Sequence, residues 1–189
     1  MPLYQQLFSQ STKLPVIDIT ALQSKYNLLS FGKNVFVFDP AMDMKEIQLL
    51  IDTLFNRQSL GKSEFNSNRY ALLFKPGTYN LDIQVGYYMQ VLGLGISPED
   101  VIINGAVRSN TKHHNSVLTN FWRAVENLTI VPAKDSTVVW GVSQASPMRR
   151  VHIKGNLQLF DKGYASGGFL ADSKIDGVVS SGPQQQWLS

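Results

Sequence analysis

The stretch YALLFKPGTYNLDIQVGYYMQVLGLGISPEDVIIN, Tyr70–Asn104, decides the fold. It holds four short apolar runs, Tyr70–Lys75, Leu81–Val85, Tyr88–Leu92 and Val101–Ile103, separated by Pro-Gly, Gly and Ser-Pro. No helical period links them, and each is rich in Val, Ile, Leu, Tyr or Phe, the composition of a buried or half-buried strand. Pro76-Gly77 is a turn signal. The corners are too short for helical crossovers, which need about a dozen residues or more. The runs are therefore either a meander or successive faces of one coil.

The residues upstream favour the coil. Residues 35–57, VFVFDPAMDMKEIQLLIDTLFNR, read as a strand, a turn and an amphipathic helix near 43–57. Asp43 is the expected N-cap, with Glu46 at capping-box spacing. Ile47, Leu50, Ile51 and Leu54 share one face. Residues 1–34 read as a packing arm over the first coil, with a short edge strand at Leu14–Ile19 and one or two helical turns at Ala21–Tyr26. Residues 58–68, QSLGKSEFNSN, are an exposed polar loop.

The order of these pieces resembles the N-terminal cap and first coil of pectate-lyase-like right-handed parallel β-helix proteins. The resemblance is carried by Glu46-Ile47-Gln48, Ile51-Asp52, Phe74–Tyr79 (FKPGTY), Ile83-Gln84-Val85, Leu92–Gly95 (LGLG) and Ile103-Asn104-Gly105, over residues 35–105.

Downstream the chain becomes repetitive. After the polar loop RSNTKHHNS (108–116) come the runs Val117–Trp122, VENLTIVP, Thr137–Val142, MRRVHIKG, Gly168–Ala171 and DSKIDGVV. Their apolar centres Val91, Leu128, Val151 and Ile175 are 37, 23 and 24 residues apart. A period in the low twenties fits a coil of three short strands, with the loop lengthening the first interval. Leu128, Val151 and Ile175 are then expected to stack in one internal row. The motifs NFWR (120–123), WGVSQA (140–145), MRRV (148–151), ASGGFLADS (165–173) and QQQW (184–187) resemble those of large, mostly bacterial, secreted β-helix proteins, some grouped with polysaccharide-active enzymes.

Composition narrows the classes. The 189 residues suit one domain, 35–189 being the coil with its helix, and no apolar run reaches membrane-span length. Zero cysteines exclude disulfides, thiolate metal sites and cysteine nucleophiles. A net charge of +3 is too small to argue for nucleic acid. The N-terminus shows no signal-peptide pattern, so an extracellular location follows from the resemblance alone.

Polysaccharide hydrolysis needs two carboxylates flanking the scissile bond. Asp172 and Asp176 are the candidates: four apart, they share a face of an extended strand. Arg149 and Arg150, one pointing inward or along the coil and one outward, are candidates for binding a carboxylate or sulfate sugar, or for pairing with Asp172 on the next coil. Trp122, Trp140, Trp187, Tyr87, Tyr88 and Tyr164 offer stacking surfaces for sugar, with Gln144 and Gln184–Gln186 nearby; core filling is the competing reading for Trp122 and Trp140. No acid cluster is dense enough for Ca²⁺, and His113-His114 with a remote His152 lacks metal-ligand spacing. The Asn127-Leu128-Thr129 sequon precedes a buried strand and is discounted.

The sequence thus indicates an all-β protein, a right-handed parallel β-helix with an N-terminal capping helix, and no cofactor or metal. The resemblance implies a polysaccharide-active protein of glycoside hydrolase or lyase type. A non-catalytic carbohydrate-binding or adhesin module, or a structural coil, remain open. The C-terminal edge shows no cap, so a missing C-terminal part, a second chain or an identical subunit is expected to complete it.

Overall fold

The computed structural model describes residues 18–26, 31–59, 61–111, 116–133 and 135–189. Leu14–Ile17 of the expected edge strand, and His113 and His114, lie outside the described residues. Asp18 and Ile19 form no strand. The Asp18 carboxylate accepts the N–H groups of Thr20 and Ala21 and starts α1 (Ile19–Lys25).

After β1 (Val35–Phe38), Asp43 caps α2 (Met44–Gln58) by accepting the N–H groups of Lys45 and Glu46. The reciprocal half of the expected capping box is not made. Glu46 instead takes Lys25 Nζ at 2.7 Å and the Tyr26 hydroxyl, which ties α1 to α2. The amphipathic face reads as expected. Ile47, Leu50, Ile51 and Leu54 are buried and belong to one core with Phe36, Phe38, Tyr79, Leu81 and Ile83, closing the first coil.

The strands that follow are β2 (Tyr70–Phe74), β3 (Gly77–Gln84), β4 (Met89–Gly93), β5 (Val101–Arg108), β6 (Ala124–Pro132) and β7 (Thr137–Val139). Then come β8 (Pro147–Ile153), β9 (Asn156–Gln158), β10 (Ala165–Ala171), β11 (Lys174–Ile175), β12 (Val179–Ser180) and β13 (Gln184–Leu188). Every pairing between them is parallel. The first face runs β1-β2-β4-β6-β8-β10-β13, and the third runs β7-β9-β12. The second is made of β3, β5, the C-terminal halves of β6 and β8, and β11. This is a right-handed parallel β-helix.

Two strands serve two faces because a single residue bends each. Asn127 in β6 and Arg150 in β8 adopt left-handed conformations, φ 56° and 51°, and Asp172 (φ 49°) does the same between β10 and β11. Such a conformation costs a non-glycine residue on the order of 1 kcal/mol, so neighbouring contacts must hold it. Asn127 is held by its own amide, which donates to Gly93 O at 3.0 Å and Gly95 O at 2.8 Å. That amide is thereby engaged within the fold.

Side chains stack in rows inside the coil. Leu72, Val91, Val125, Met148 and Leu170 form one row, and Tyr79, Ile103, Ile130, Ile153 and Ile175 another. The expected pair Leu128–Val151 is in register, but Ile175 stacks on Ile153 and not on Val151. The reason is local. Ser173 Oγ accepts the Val151 N–H at 3.2 Å, so strand pairing resumes only at Lys174 opposite His152.

Two further expectations change, and one segment left without an assignment gains one. Val117–Trp122 is a sequence of bends and turns despite its strand-like composition, because Asn120 Nδ2 donates to Gly141 O and Asn110 O and pins it as a loop. The run Lys174–Val179 splits into β11 and β12 on two faces. Gln184–Leu188 is a strand, with Trp187 opposite Gly168. A Cβ at Gly168 would lie 2.1 Å from the Trp187 ring, so only glycine admits it. Among the described residues no helix is long and apolar enough to cross a membrane.

Candidate functional site

Each first-face strand is entered through a corner, and these corners stack into a column. Tyr88, Trp122 and Ala145 occupy it in left-handed conformations, φ 57°, 50° and 56°. Backbone bonds hold the column: Tyr70 N–H to Tyr88 O at 3.0 Å, Tyr88 N–H to Trp122 O at 2.6 Å, and Trp122 N–H to Gln144 O at 3.4 Å. The regularity brings side chains into a pile. The rings of Tyr88 and Trp122 are 5.1 Å apart and 4° from parallel, and the Arg69 guanidinium carbon lies 3.4 Å from the Tyr88 centroid. Phe121 leans on Trp122 at 5.2 Å. The pile stops at Ala145, too small to continue it. A cavity of ≈590 Å³ opens there, lined by Tyr88, Trp122, Gln90, Asn34, Ala145 and Pro147 among others.

Amides continue the ledge on the next rungs. Exposed Gln144 abuts Gly167, where an added Cβ would lie 3.0 Å from Gln144 Cγ. Ser166 donates its hydroxyl to Gln186 Oε1 at 3.4 Å, and Tyr164 stands exposed just before β10. The expected Tyr88, Trp122, Gln144 and Tyr164 thus belong to one side of the coil. Trp187 lies on the adjoining strand, half-buried and packed against the core. Tyr87 and Trp140 are core residues, Trp140 donating Nε1–H to Ser146 O at 3.3 Å.

A buried cation fixes this corner. Arg123 is 4 % exposed; its Nη1 donates to Val85 O at 2.7 Å and Ser109 Oγ at 3.1 Å, and its Nε to Phe121 O at 3.2 Å. Its guanidinium also lies over the Tyr87 ring at 5.1 Å. Burial pushes its pKa down to about 10, which still leaves a cation at neutral pH. Arg123 ties the carbonyl before Trp122 to Val85 and Ser109. Sequence reasoning passed over it, since an arginine in NFWR carries no mark of burial.

The other predicted residues meet at the opposite edge of the first face, where it bends into the second. Arg149 bridges Glu126 on the preceding rung and Asp172 on the following one, the latter at 3.4 Å. Arg150 donates through Nε to Asn127 Oδ1 at 3.3 Å and through Nη2 to Ile96 O at 3.1 Å. His152 Nδ1 lies 3.1 Å from Glu99, and its Nε2 lies 3.1 Å from both oxygens of Asp176, which also pairs with Lys174 at 3.3 Å. The hydrogen bond to His152 lowers the Asp176 pKa. Glu99 is lowered by the Ser97 hydroxyl first, then by a backbone N–H and His152.

One expectation about these residues fails on geometry. Asp172 sits in the bend and Asp176 in the turn after β11, so they do not share one extended strand. Neither Arg149 nor Arg150 points inward: Arg149 reaches along the coil to Glu126 and Asp172, and the left-handed Arg150 also makes a surface contact. The pairing of Arg149 with Asp172 is as anticipated. Among the described residues no group of three or more His, Asp or Glu is placed to hold a metal ion.

No family model matches the chain. An exo-beta-1,3-glucanase of Streptomyces sp. (strain SirexAA-E / ActE) is 48% identical over 162 residues, which cover 84% of this chain and 26% of that protein. The solved structure of sacteLam55A from Streptomyces sp. SirexAA-E superposes with a TM-score of 0.77 at 47% identity, covering 82% of this chain and 28% of that one. A variant of sacteLam55A in complex with glucose gives 0.78 at 46% identity, with the same coverage. The chain spans about a quarter of the length of the relative it matches.

Proposed function

We propose that this chain is the glucan-holding part of a longer, extracellular, polysaccharide-active protein that removes glucose units from β-1,3-linked glucan. One observation carries the reading: the parallel Tyr88–Trp122 pile ends at an open cavity, with Gln144 and Gln186 on the rungs that follow. Aromatic faces accept the C–H face of a pyranose, and side-chain amides both donate to and accept from its hydroxyls. The similarity to an exo-beta-1,3-glucanase supports the choice of sugar polymer. In this reading Trp122 stacks on the sugar, Tyr88 and Arg69 back it from within the pile, Gln144 hydrogen-bonds the sugar, and Trp187 backs the rung that carries Ser166.

Asp172 and Asp176 enter the proposal as the carboxylates to test. A proton donor needs a raised pKa, whereas Asp176 is lowered by His152, which fits a base or nucleophile and not the acid. Arg149 and Arg150 take positioning roles, since their groups are engaged by Glu126, Asp172, Asn127 and Ile96. A second reading, a binding module without catalysis, is favoured by the corner cavity, which no carboxylate lines.

Affinity electrophoresis in gels containing laminarin tests binding, and reducing-sugar release tests hydrolysis. The proposal expects retardation that Trp122→Ala removes; no retardation of the wild type overturns it. Sugar release that survives in an Asp172→Asn, Asp176→Asn double variant overturns their catalytic role.

A further inference from the structure

We infer that the chain carries a second saccharide-binding groove, away from the aromatic corner, where the second face turns into the third. This rests on the glucan reading above, but on different residues. The groove encloses ≈650 Å³, within the ordinary range of ligand sites, and shares no lining residue with the corner cavity. Its walls carry Asp82, Arg108, Asn110, Asp135, Thr137 and Gln158.

The floor explains why it is open. Gly105 and Ala106 lie there, and a Cβ at Gly105 (φ 137°) would sit 2.1 Å from Leu81 O, so no side chain rises at that point. A flat ring can rest on the sheet itself. The walls define the ligand. Arg108 Nε and Nη2 donate to the two oxygens of Asp82 at 2.6 and 2.8 Å, a fork that neutralises both charges on that wall. The Asp82 oxygens keep lone pairs; Gln158 Nε2 donates to Phe160 O, Thr137 Oγ1 to Asp135 O and Gln84 Nε2 to Asn110 Oδ1, which leaves Asn110 Nδ2 as donor and Gln158 Oε1 and Thr137 Oγ1 as acceptors. Such a wall suits vicinal hydroxyls.

The rim adds an independent sign. Asp135 and Ser136, consecutive residues in left-handed conformations (φ 49° and 48°), turn the chain at the rim. Among the described residues the Asp135 carboxylate has no partner, although it lines the groove. An acceptor held at a rim beside a neutral wall fits a polyhydroxylated ligand.

Titration of the ¹⁵N-labelled chain with laminarihexaose, followed by amide chemical shifts, reads both sites at once. Two clusters of shifts are expected, one at Trp122, Gln144 and Gln186 and one at Thr137, Val139 and Gln158. Ala106→Trp, which fills the floor, should erase the second cluster and leave the affinity at the first within about twofold, as a surface change would. Gln158→Ala, which removes a wall group without adding bulk, should weaken the second cluster alone. Absence of groove shifts in the wild type, or groove shifts untouched by both variants, overturns the inference. Groove shifts without corner shifts would instead overturn the corner assignment and leave the groove standing.

Discussion

Two columns of left-handed residues border the first face, and their side chains are used in opposite ways. At the exit edge, Asn127, Arg150 and Asp172 bend the chain, and the polar groups around them close on one another across rungs. At the entry edge, Tyr88, Trp122 and Ala145 bend it with the same backbone, yet their stack ends in space and in outward amides. Backbone strain is therefore not what separates a binding surface from a structural seam. What separates them is whether the side chains have partners already. The Arg- and Asp-rich edge looks more like chemistry in the sequence, and it is the edge whose groups are taken.

Several experiments would break or sharpen this contrast. The largest effect should come from the scaffold both edges share. Val151→Asp puts an unpaired carboxylate into the internal rows, at a cost of several kcal/mol against a total stability of about 5–15. The expected result is no cooperative thermal transition by circular dichroism. A melt close to that of the wild type would refute the stacking.

Next is the clamp that serves one edge only. Arg123→Leu strands Val85 O without its donor, leaves Ser109 Oγ with Asn120 Nδ2 alone, and should cost about 3 kcal/mol in urea unfolding, with glucan affinity falling alongside. Arg150→Leu, at the other edge, should leave glucan affinity unchanged. If both variants bind alike, the two edges are not functionally distinct.

Trp122→Ala should weaken laminarihexaose binding about tenfold, roughly 1.4 kcal/mol, with little loss of stability. Calorimetric titration decides it, and an unchanged affinity would transfer the binding site elsewhere.

The charged edge should show itself in pH. Asp176 and Glu99 have folded-state pKa values below their unfolded ones, so their stabilisation is present above about pH 4 and is lost as pH falls through the lower folded values. Melting temperature should drop along that acid range, and Asp176→Asn should flatten the slope. An identical slope in the variant would assign the acid sensitivity to other groups. The smallest effect belongs to Arg149→Ala. An exposed bridge to Glu126 and Asp172 is worth less than about 1 kcal/mol, within reach of a careful denaturation curve.

Much of the fold was legible because period and punctuation act locally. Pro76-Gly77, the face Ile47–Leu54 and the low-twenties spacing each follow from short-range rules, and strands and helix appear where those rules put them. The errors share one cause. Left-handed corners do not declare themselves when the residue is Arg, Trp or Asp, so alternation was carried straight through Arg150 and past Asp172. The same blindness placed Ile175 opposite Val151 when Ser173 had already taken that position. Val117–Trp122 misled by composition, since its fate is set by Asn120 reaching residues distant in sequence. For the site, Tyr88, Tyr164 and Gln144 could be nominated by type, with Trp122 left between surface and core. Their gathering on one side required the rungs to be counted in space, and Arg123 gave no signal at all.

The unequal rungs have a consequence for how such a chain changes over generations. Ile103, Ile130, Ile153 and Ile175 are stacked neighbours, yet the intervals between them are 27, 23 and 22 residues. All that variation is absorbed at corners, because one residue added within a face would turn every later side chain of that strand inside out. Insertions and deletions are thus sorted by position: free lengthening at the turns, none along the strands, and gain or loss of a whole rung as a unit. A deep mutational scan of single-residue insertions should reproduce this as a comb, with tolerated teeth at the corners and gaps along each strand.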